Sequence, residues 1–279
     1  MICWPSMRSL NTRNDRDGET TEIGMKGNLM GQIIAERIGK VMVVTIANEA
    51  KRNALNVSME KPFYDCLVDA DNDDAIRVVV ITGAGDIAFC SGHDLSEIGR
   101  PDIQLMKPDP MGHPDLMKKP VIAAVNGHCH AAGLMVALCC DLRIASENAV
   151  FGQPAARTGG LPMGGQIWRL SSAMPKVRAT EMMFTAEHLS AQDAYDWGLV
   201  NKLVPRGRAR EAALALAENI AAKSAATVQA IKAGQKIYER QGLEAFNRFQ
   251  ADMYETLNMK PERTEGIAAF AEKRPPLFS

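Results

Sequence analysis

The chain has 279 residues, with 32 basic and 33 acidic side chains that give a formal net charge of −1. This balance argues against a dedicated nucleic-acid-binding protein, because such proteins usually carry a basic surplus. Hydrophobic residues make up 46% of the chain and aromatic residues only 5%, so the apolar content is mostly aliphatic. A chain of this length can form one large domain or two small ones with a self-supporting core.

The chain contains six cysteines. They include no CxxC pair and lack the ligand spacing of a zinc site, so we expect no metal. We interpret them as reduced, mostly buried thiols of an intracellular protein. The longest apolar run, from Ala131 to Cys140, is far shorter than the ~18 residues that a membrane helix needs, so we expect no membrane association.

Residues 1–30 carry no pattern of secondary structure. They lack the apolar stretch of a secretory signal. Arg8 and Arg13 hint at an organelle transit peptide, whereas Asp15 and Asp17 argue against one. We predict a disordered leader over 1–30. The predicted location is the cytoplasm, with the mitochondrial matrix as the alternative.

Strand and helix signals begin at residue 31. Residues 31–47 predict two strands joined by a turn at Gly39 and Lys40. Apolar residues at helical spacing predict a helix over 58–70. The β-branched run 78–82 predicts a buried strand. The glycine-rich stretch 83–94 then predicts a loop that follows this strand.

Prolines at five positions between residues 101 and 120 exclude a long helix there and indicate a surface excursion. A second buried strand is predicted over 121–125, followed by a helix over 131–139 and a strand over 142–145. Strand, turn and helix therefore recur about every 40 residues over 31–205. This recurrence predicts an α/β fold built as a spiral of ββα units or as another layered α/β arrangement.

The sequence after Pro205 shows helical spacing and no strand alternation. Four segments carry this spacing: Ala209 to Lys223, Ala225 to Arg240, Leu243 to Leu257 and Glu265 to Lys273. We predict that 206–279 form a helical C-terminal subdomain that packs on the core or on a neighbouring subunit.

Three motifs stand out by their order and spacing. The first is Lys-Arg-Asn-Ala-Leu-Asn at 51–56, and the second is Ala-Phe-Cys-Ser-Gly-His-Asp-Leu at 88–95. The third is Lys-Pro-Val-Ile-Ala-Ala-Val-Asn-Gly at 119–127, continued by Ala-Ala-Gly at 131–133. Together with the last helix at 265–274, they resemble the enoyl-CoA hydratase/isomerase superfamily, whose fold is the crotonase fold. The resemblance covers residues 31–279.

The resemblance implies a site that binds an acyl-CoA thioester and stabilises its enolate. A thioester oxygen gains negative charge when the neighbouring carbon is attacked or deprotonated, and two backbone N–H groups can stabilise that charge. By resemblance, these donors belong to His93 and Ala132. Coenzyme A enters as part of the substrate, and no other cofactor is implied.

Further residues are implied to bind the substrate and its coenzyme A portion. On the family pattern these residues are Arg52, Ala54, Ser91, Gly92, Asp94, Leu95, Gly133, Met135, Ala155, Phe270 and Lys273. The resemblance also implies a homotrimer or a homohexamer, with the C-terminal helices in oligomerisation and coenzyme A contact.

Two positions depart from the pattern of the family's hydratases. Those enzymes use two glutamates to hold the water that adds across the enoyl double bond. The resemblance places Met135 and Ala155 at these positions, and neither side chain can exchange a proton. The leading hypothesis is therefore an enoyl-CoA hydratase/isomerase-type protein for which standard hydratase activity is doubtful.

Two alternatives stay open. His93 stands where the family's methylmalonyl-CoA decarboxylases also have a histidine, and Arg157 could meet an acidic acyl group. These residues suggest a decarboxylase or hydrolase of a polar or carboxylated acyl-CoA. The missing glutamates also allow a non-catalytic acyl-CoA-binding protein. The Ser-Gly-His-Asp-Leu string at 91–95 resembles the subgroup called enoyl-CoA hydratase domain-containing protein 3, whose members lack the glutamate pair.

Overall fold

The computed structural model of the chain describes residues 31–97, 106 and 109–278. The leader predicted for residues 1–30 therefore lies outside the described residues. Of the proline-rich excursion predicted between residues 101 and 120, residues 101–105, 107 and 108 also lie outside the described residues.

A sheet of six strands forms the centre of the fold. In chain order its strands are β1 (Gln32–Ile38), β2 (Val41–Ala47), β3 (Val78–Gly83), β5 (Val121–Val125), β7 (Leu142–Ser146) and β10 (Lys202–Val204), and they lie side by side in that order. Strands β1 and β2 are antiparallel and the other neighbours are parallel. Every residue of β3 and β5 is buried, as expected for parallel strands that are covered on both faces.

A second sheet has four short strands. They are β4 (Ala88–Cys90), β6 (His128–His130), β8 (Val150–Gly152) and β9 (Leu189–Ser190), in that order. Three successive pairs of strands are divided between the two sheets in the same way: β3 and β4, β5 and β6, and β7 and β8. In each pair the first strand belongs to the large sheet and the second to the small sheet. This repetition is the structural form of the recurrence in the sequence.

Ten α-helices accompany the sheets in the described part of the chain. They are α1 (Val57–Asn72), α2 (Ala132–Cys139), α3 (Ala155–Thr158), α4 (Gln166–Ala173), α5 (Lys176–Thr185), α6 (Ala191–Asp196), α7 (Ala209–Ala221), α8 (Ala225–Gln241), α9 (Leu243–Asn258) and α10 (Pro261–Ala271). The predicted α/β fold with a helical C-terminal region is confirmed.

The strands of the large sheet bury alternate residues on its two faces. On one face, residues such as Val44 and Ile81 join a core with α1 and α2. On the other face, Val43 and Val80 pack with the alanines of α7. The first helix of the C-terminal region is thus part of the layered core.

The five cysteines among the described residues are free thiols, and four of them are buried. Burial raises the pKa of the Cys90 thiol to about 12. None of the helices in the described ranges combines the length and the apolar content that crossing a membrane requires.

Candidate active site

The loop that carries the first motif is held by one buried asparagine. Arg52 and Asn53 both have left-handed backbone conformations, with φ of 52° and 56°. The Asn53 side chain accepts a hydrogen bond from the Asn48 N–H at 2.9 Å. It donates to the carbonyl oxygens of Ala84, at 2.9 Å, and Ala88, at 2.6 Å. These bonds tie the first motif to the start of β4.

A second asparagine, from the third motif, fixes the same segment. The Asn126 amide donates to the carbonyls of Gly83 at 3.1 Å, Gly85 at 2.8 Å and Ala88 at 3.0 Å. Its oxygen accepts from the Gly83 N–H at 3.1 Å. The Ala88 carbonyl thus receives a hydrogen bond from each asparagine. Strand β4, which leads into the second motif, is anchored from both neighbouring motifs.

The N–H group of His93 is left without a backbone partner by the way its segment pairs. His93 and Leu55 form an isolated parallel bridge. Its bonds run from the Leu55 N–H to the Gly92 carbonyl and from the Asp94 N–H to the Leu55 carbonyl, both at 2.8 Å. The bridge therefore uses the Gly92 carbonyl and the Asp94 N–H, and not the N–H of His93 itself. Within the described residues the His93 N–H has no acceptor.

The N–H group of Ala132 is the second unpaired amide. Ala132 is the first residue of α2, and the preceding Ala131 has φ 50° and ψ −118° with no side-chain cap. That conformation is rare for a residue with a Cβ, and such outliers often mark functional turns. Since the first N–H groups of a helix lack intrahelical acceptors, the Ala132 N–H stays free in the described structure.

The segments that carry the two amides are in contact. A Cβ atom on Gly92, which has φ 110°, would lie 3.4 Å from the Ala132 nitrogen and 3.0 Å from the Ala131 Cβ. A Cβ atom on Gly133 would lie 2.1 Å from the Cys90 carbonyl oxygen. Glycine at both positions lets the start of α2 approach the second motif. The positive end of the helix dipole therefore lies close to both N–H groups.

Asp94 joins the first motif to the second. Its carboxylate pairs with the Lys51 ammonium at 2.5 Å and accepts from the Ser96 N–H at 3.0 Å. These bonds, led by the one from Lys51, lower the pKa of Asp94 to about 2. The Ser91 N–H donates to the Arg52 carbonyl at 3.1 Å. The two loops thus form one wall of the site.

The residues implied to bind coenzyme A fall into two groups. Ala54 is buried beside the paired loops, and the Leu95 side chain is 80% exposed at their edge. Phe270 is 87% exposed at the end of α10. The Lys273 N–H donates to the Phe270 carbonyl at 3.2 Å, a bond within that helix end. The described contacts therefore bring together the residues from the first two motifs, while Phe270 and Lys273 lie on the C-terminal helix surface.

Met135 and Ala155 are both buried. The Met135 sulfur packs on the 164–165 turn so closely that a Cβ atom on Gly164 would lie 1.6 Å from it. The Ala155 N–H donates to the Gln153 side-chain oxygen at 3.0 Å. The Gln153 amide in turn donates to Gln166 at 2.5 Å. Both positions present apolar side chains.

Arg157 lies on the exposed surface of α3. Its guanidinium donates to the Ala186 carbonyl, at the end of α5, at 2.8 Å. The role suggested for Arg157, contact with an acidic acyl group, stays a prediction.

Glu60 is a residue that the sequence analysis missed. It lies in the first turn of α1 and is 2% exposed. Its Oε1 lies 3.8 Å from Nδ1 of His93. A signal existed, because Glu60, Phe63 and Leu67 follow the i, i+3, i+7 spacing of one helix face and the other two are apolar core residues. A carboxylate on a buried face is uncommon without a partner or a function.

No group of three or more metal-ligating side chains with suitable geometry occurs in the described ranges. His130 of β6 and His188 do contact each other, with ring centroids 4.7 Å apart. Burial lowers the pKa of His130 to about 4, with smaller contributions from the neighbouring His188 and His128.

Comparison with known proteins identifies the family. Residues 36–279 match the family model described as enoyl-CoA hydratase/isomerase. The chain is 34% identical over 253 residues to 2,3-dehydroadipyl-CoA hydratase of Escherichia coli, a match that covers 89% of this chain and 99% of that one. It is 33% identical over 255 residues to short-chain-enoyl-CoA hydratase of Clostridium acetobutylicum, covering 88% and 96% of the two chains.

Solved structures give the same result. The crystal structure of an enoyl-CoA hydratase from Mycobacterium tuberculosis matches with a TM-score of 0.84 at 30% identity, covering 88% of this chain and 98% of that one. An enoyl-CoA hydratase from Polaromonas matches with a TM-score of 0.83 at 32% identity, covering 89% and 100% of the two chains. With the family model matching residues 36–279 and both structures covering 88% or more of the chain, the chain belongs to the enoyl-CoA hydratase/isomerase family of enzymes.

Proposed function

We propose that this protein binds acyl-CoA thioesters and stabilises the enolate of the bound thioester on the N–H groups of His93 and Ala132. The observation that carries the proposal is the contact between two segments that each present an unpaired amide. One amide is freed by a parallel bridge and the other by a helix start. An oxygen atom placed between them would accept both hydrogen bonds.

The physical basis is electrostatic. The enolate oxygen carries more negative charge than the thioester carbonyl, so fixed donors stabilise the reaction's charged state more than its ground state. Removal of one such donor typically costs about 10²–10³ in rate. The N-terminus of α2 adds its partial positive charge. The names of the two curated relatives describe CoA hydratases, which supports the thioester substrate class.

We further propose that Met135 and Ala155 stand at the two glutamate positions of the family's hydratases. Both are buried and apolar, so this chain would hold no water between two carboxylates. We therefore expect slow hydration of crotonyl-CoA and a reaction that relies on the two amides and few side chains. The finer assignment to the subgroup called enoyl-CoA hydratase domain-containing protein 3 belongs to this proposal.

The direct test replaces one N–H group by an oxygen atom. Replacement of Ala132 by lactic acid, its α-hydroxy analogue, converts the amide to an ester. We expect turnover of the best thioester to fall by about 10²–10³. Ala225, the first residue of α8, provides the matched control because it also begins a helix. Lactic acid at that position should leave turnover unchanged, and an equal loss at both positions would refute the proposed role.

The substrate is found by mass spectrometry over a panel of enoyl-, acyl- and malonyl-type thioesters. Hydration or double-bond migration supports the proposal. Release of carbon dioxide or of free acid would favour the decarboxylase or hydrolase alternative. Calorimetric binding without turnover of any thioester would favour the non-catalytic alternative.

We also propose that the C-terminal helices form the contacts of a homotrimer or homohexamer and reach coenzyme A through Phe270 and Lys273. Exposed apolar side chains on α9 and α10 support this: Tyr254, Ile267 and Phe270. Sedimentation equilibrium measures the assembly, and a monomer at micromolar concentration would contradict it. The cytoplasmic location, with the mitochondrial matrix as the alternative, stays a prediction.

A further inference from the structure

One buried carboxylate faces the histidine that supplies a proposed N–H donor. Oε2 of Glu60 accepts a hydrogen bond from the Met106 N–H at 2.6 Å. Its other oxygen, Oε1, lies 3.8 Å from Nδ1 of His93. The Glu60 side chain is 3% exposed and the His93 side chain 19% exposed. The imidazole is therefore covered on the side that faces Glu60.

Glu60 is not needed for the helix on which it lies. The N-cap of α1 is Asn56, whose side chain accepts the Met59 N–H at 3.1 Å. The Val57 N–H donates a hydrogen bond to the Glu97 carboxylate at 2.8 Å. These two N–H groups of the first turn thus have acceptors other than Glu60. The burial of this carboxylate calls for another explanation.

The carboxylate lies among other charges that oppose its ionisation. Burial raises the pKa of Glu60, and the nearby Asp109 and Glu97 add to this effect. The Met106 N–H and His93 act in the opposite direction. His93 is therefore a neighbouring side chain that favours the charged form of the Glu60 carboxylate. Such a buried acid next to a histidine is typical of a functional site.

The imidazole of His93 also has a polar atom whose hydrogen-bonding capacity is unused. Its Nδ1 atom is buried and has no hydrogen-bond partner in the described structure. Leaving a buried polar atom unpaired costs about 1–3 kcal/mol. The 3.8 Å separation from Glu60 exceeds a hydrogen bond by less than 1 Å. Catalytic hydrogen bonds are often long before substrate binds and shorten in the complex.

We propose that Glu60 is a positioning residue that holds the His93 imidazole with its Nδ1–H toward the carboxylate and so directs Nε2 to the thioester. This role rests on the proposed function, because the thioester is placed by the N–H groups of His93 and Ala132. His93 then exchanges the proton that the apolar Met135 and Ala155 cannot.

The proton step balances within the site. The imidazolium of His93 loses its Nε2–H bond, and a C–H bond forms from the electron pair of the enolate at the α-carbon. The enolate becomes the neutral thioester, and His93 becomes a neutral imidazole that retains Nδ1–H. Glu60 stays a carboxylate throughout. The reverse step removes an α-proton and needs no other reactant.

The first test measures the protonation site of the ring and does not depend on turnover. The chain has five histidines, so ¹⁵N NMR of histidine-labelled protein can resolve each ring, and His93→Gln assigns the signal. We expect neutral His93 to carry its proton on Nδ1. In Glu60→Gln the amide oxygen takes the Met106 N–H, so the NH₂ group faces the ring and favours protonation on Nε2.

Glu97→Gln is the matched control. It removes a negative charge near Glu60, and its amide oxygen can still accept the Val57 N–H. We expect the His93 signals to stay unchanged in this variant. A wild-type ring protonated on Nε2 would overturn the proposal.

The second test separates positioning from binding. We expect Glu60→Gln to lower kcat by at least about 10² with little change in KM, since loss of the orienting carboxylate in a Ser-His-Asp triad costs about 10⁴. Glu60→Asp should restore part of kcat. An unchanged kcat overturns the proposal. Failure of thioester binding with Nδ1–H present would instead refute the proposed function.

Discussion

Gly133 packs against the carbonyl of Cys90 so closely that a Cβ atom on the glycine would lie 2.1 Å from the carbonyl oxygen. The contact joins the first turn of α2 to the last residue of β4. Both partners are backbone, so neither can rotate away as a side chain would. The distance between the two proposed N–H donors therefore depends on the absence of one methyl group.

Gly133→Ala should destabilise the protein and separate the two amides. We expect a loss of about 1–3 kcal/mol in the free energy of unfolding, as in other overpacked cores. Denaturant titration measures it, and turnover should fall more than the folded fraction does. Gly112→Ala is the control, because a Cβ atom there would meet nothing within 4 Å. Equal effects of the two substitutions would contradict the close contact.

Glu60→Gln should raise stability at neutral pH. Burial raises the pKa of Glu60 in the folded state, so folding favours the protonated carboxyl. The wild-type stability contribution of this group is complete below the unfolded pKa and declines as pH rises through the folded pKa. The uncharged amide avoids that decline. We expect the variant's advantage, measured by urea titration, to grow from pH 4 to pH 7.

If the gain in stability were independent of pH, the pKa of Glu60 would be the same in the folded and unfolded states, and the prediction would be wrong. Gain in stability with loss of turnover would place Glu60 among the residues that a protein retains for function at the expense of stability.

Asp94→Asn should show the opposite pH dependence. The pKa of Asp94 is lowered to about 2, mainly by the hydrogen bond from Lys51. The stabilisation from its charge is present above the unfolded pKa, near 3.9, and is lost as pH falls through the folded value. We expect the variant to be less stable than wild type at pH 7 and to approach it between about pH 4 and pH 2.

Asp86→Asn serves as the control for that experiment. Asp86 pairs with Arg206 at 2.8 Å, with both side chains at least half exposed. Exposed pairs contribute about 0–1 kcal/mol, so this variant should differ little from wild type at any pH. A larger effect at Asp86 than at Asp94 would contradict the importance of the bridge between the two loops.

Met135→Glu combined with Ala155→Glu should create hydratase activity. If these positions hold the family's glutamate pair, two carboxylates there can bind and activate water. We expect hydration of crotonyl-CoA to rise at least about tenfold over wild type, followed by the absorbance of the enoyl thioester. The same positions changed to glutamine should give no gain. Stability should fall, since buried carboxylates are costly.

Rapid hydration by the wild-type protein would contradict the proposed placement of Met135 and Ala155. Absence of any gain in a folded double variant would do the same.

Local patterns in the sequence predicted most elements of the fold. The helix expected over 58–70 is observed as Val57–Asn72, and the strand expected over 121–125 is Val121–Val125. Apolar spacing identifies buried faces because each helix or strand must cover one. Within α1, however, Cys66 lies on the apolar spacing with Phe63 and Leu67 and is only half-buried.

Contacts between distant segments could not be predicted in this way. Lys51 and Asp94 are 43 residues apart, and Glu60 approaches His93 only because α1 packs beside the second motif. A one-dimensional pattern gives the face on which a side chain lies but not the partner it meets. The resemblance supplied the two amides, whereas the carboxylate on the core face of α1 went unnoticed among apolar neighbours.

The packing of α7 bears on which fragment of the chain could fold by itself. Its residues Ala209, Ala213 and Ala217 cover the valine-rich face of the large sheet. A fragment ending at residue 205 would expose that face to solvent, and exposed apolar patches of this kind promote aggregation. Any fragment that folds by itself should therefore extend at least through Ala221, the last residue of α7.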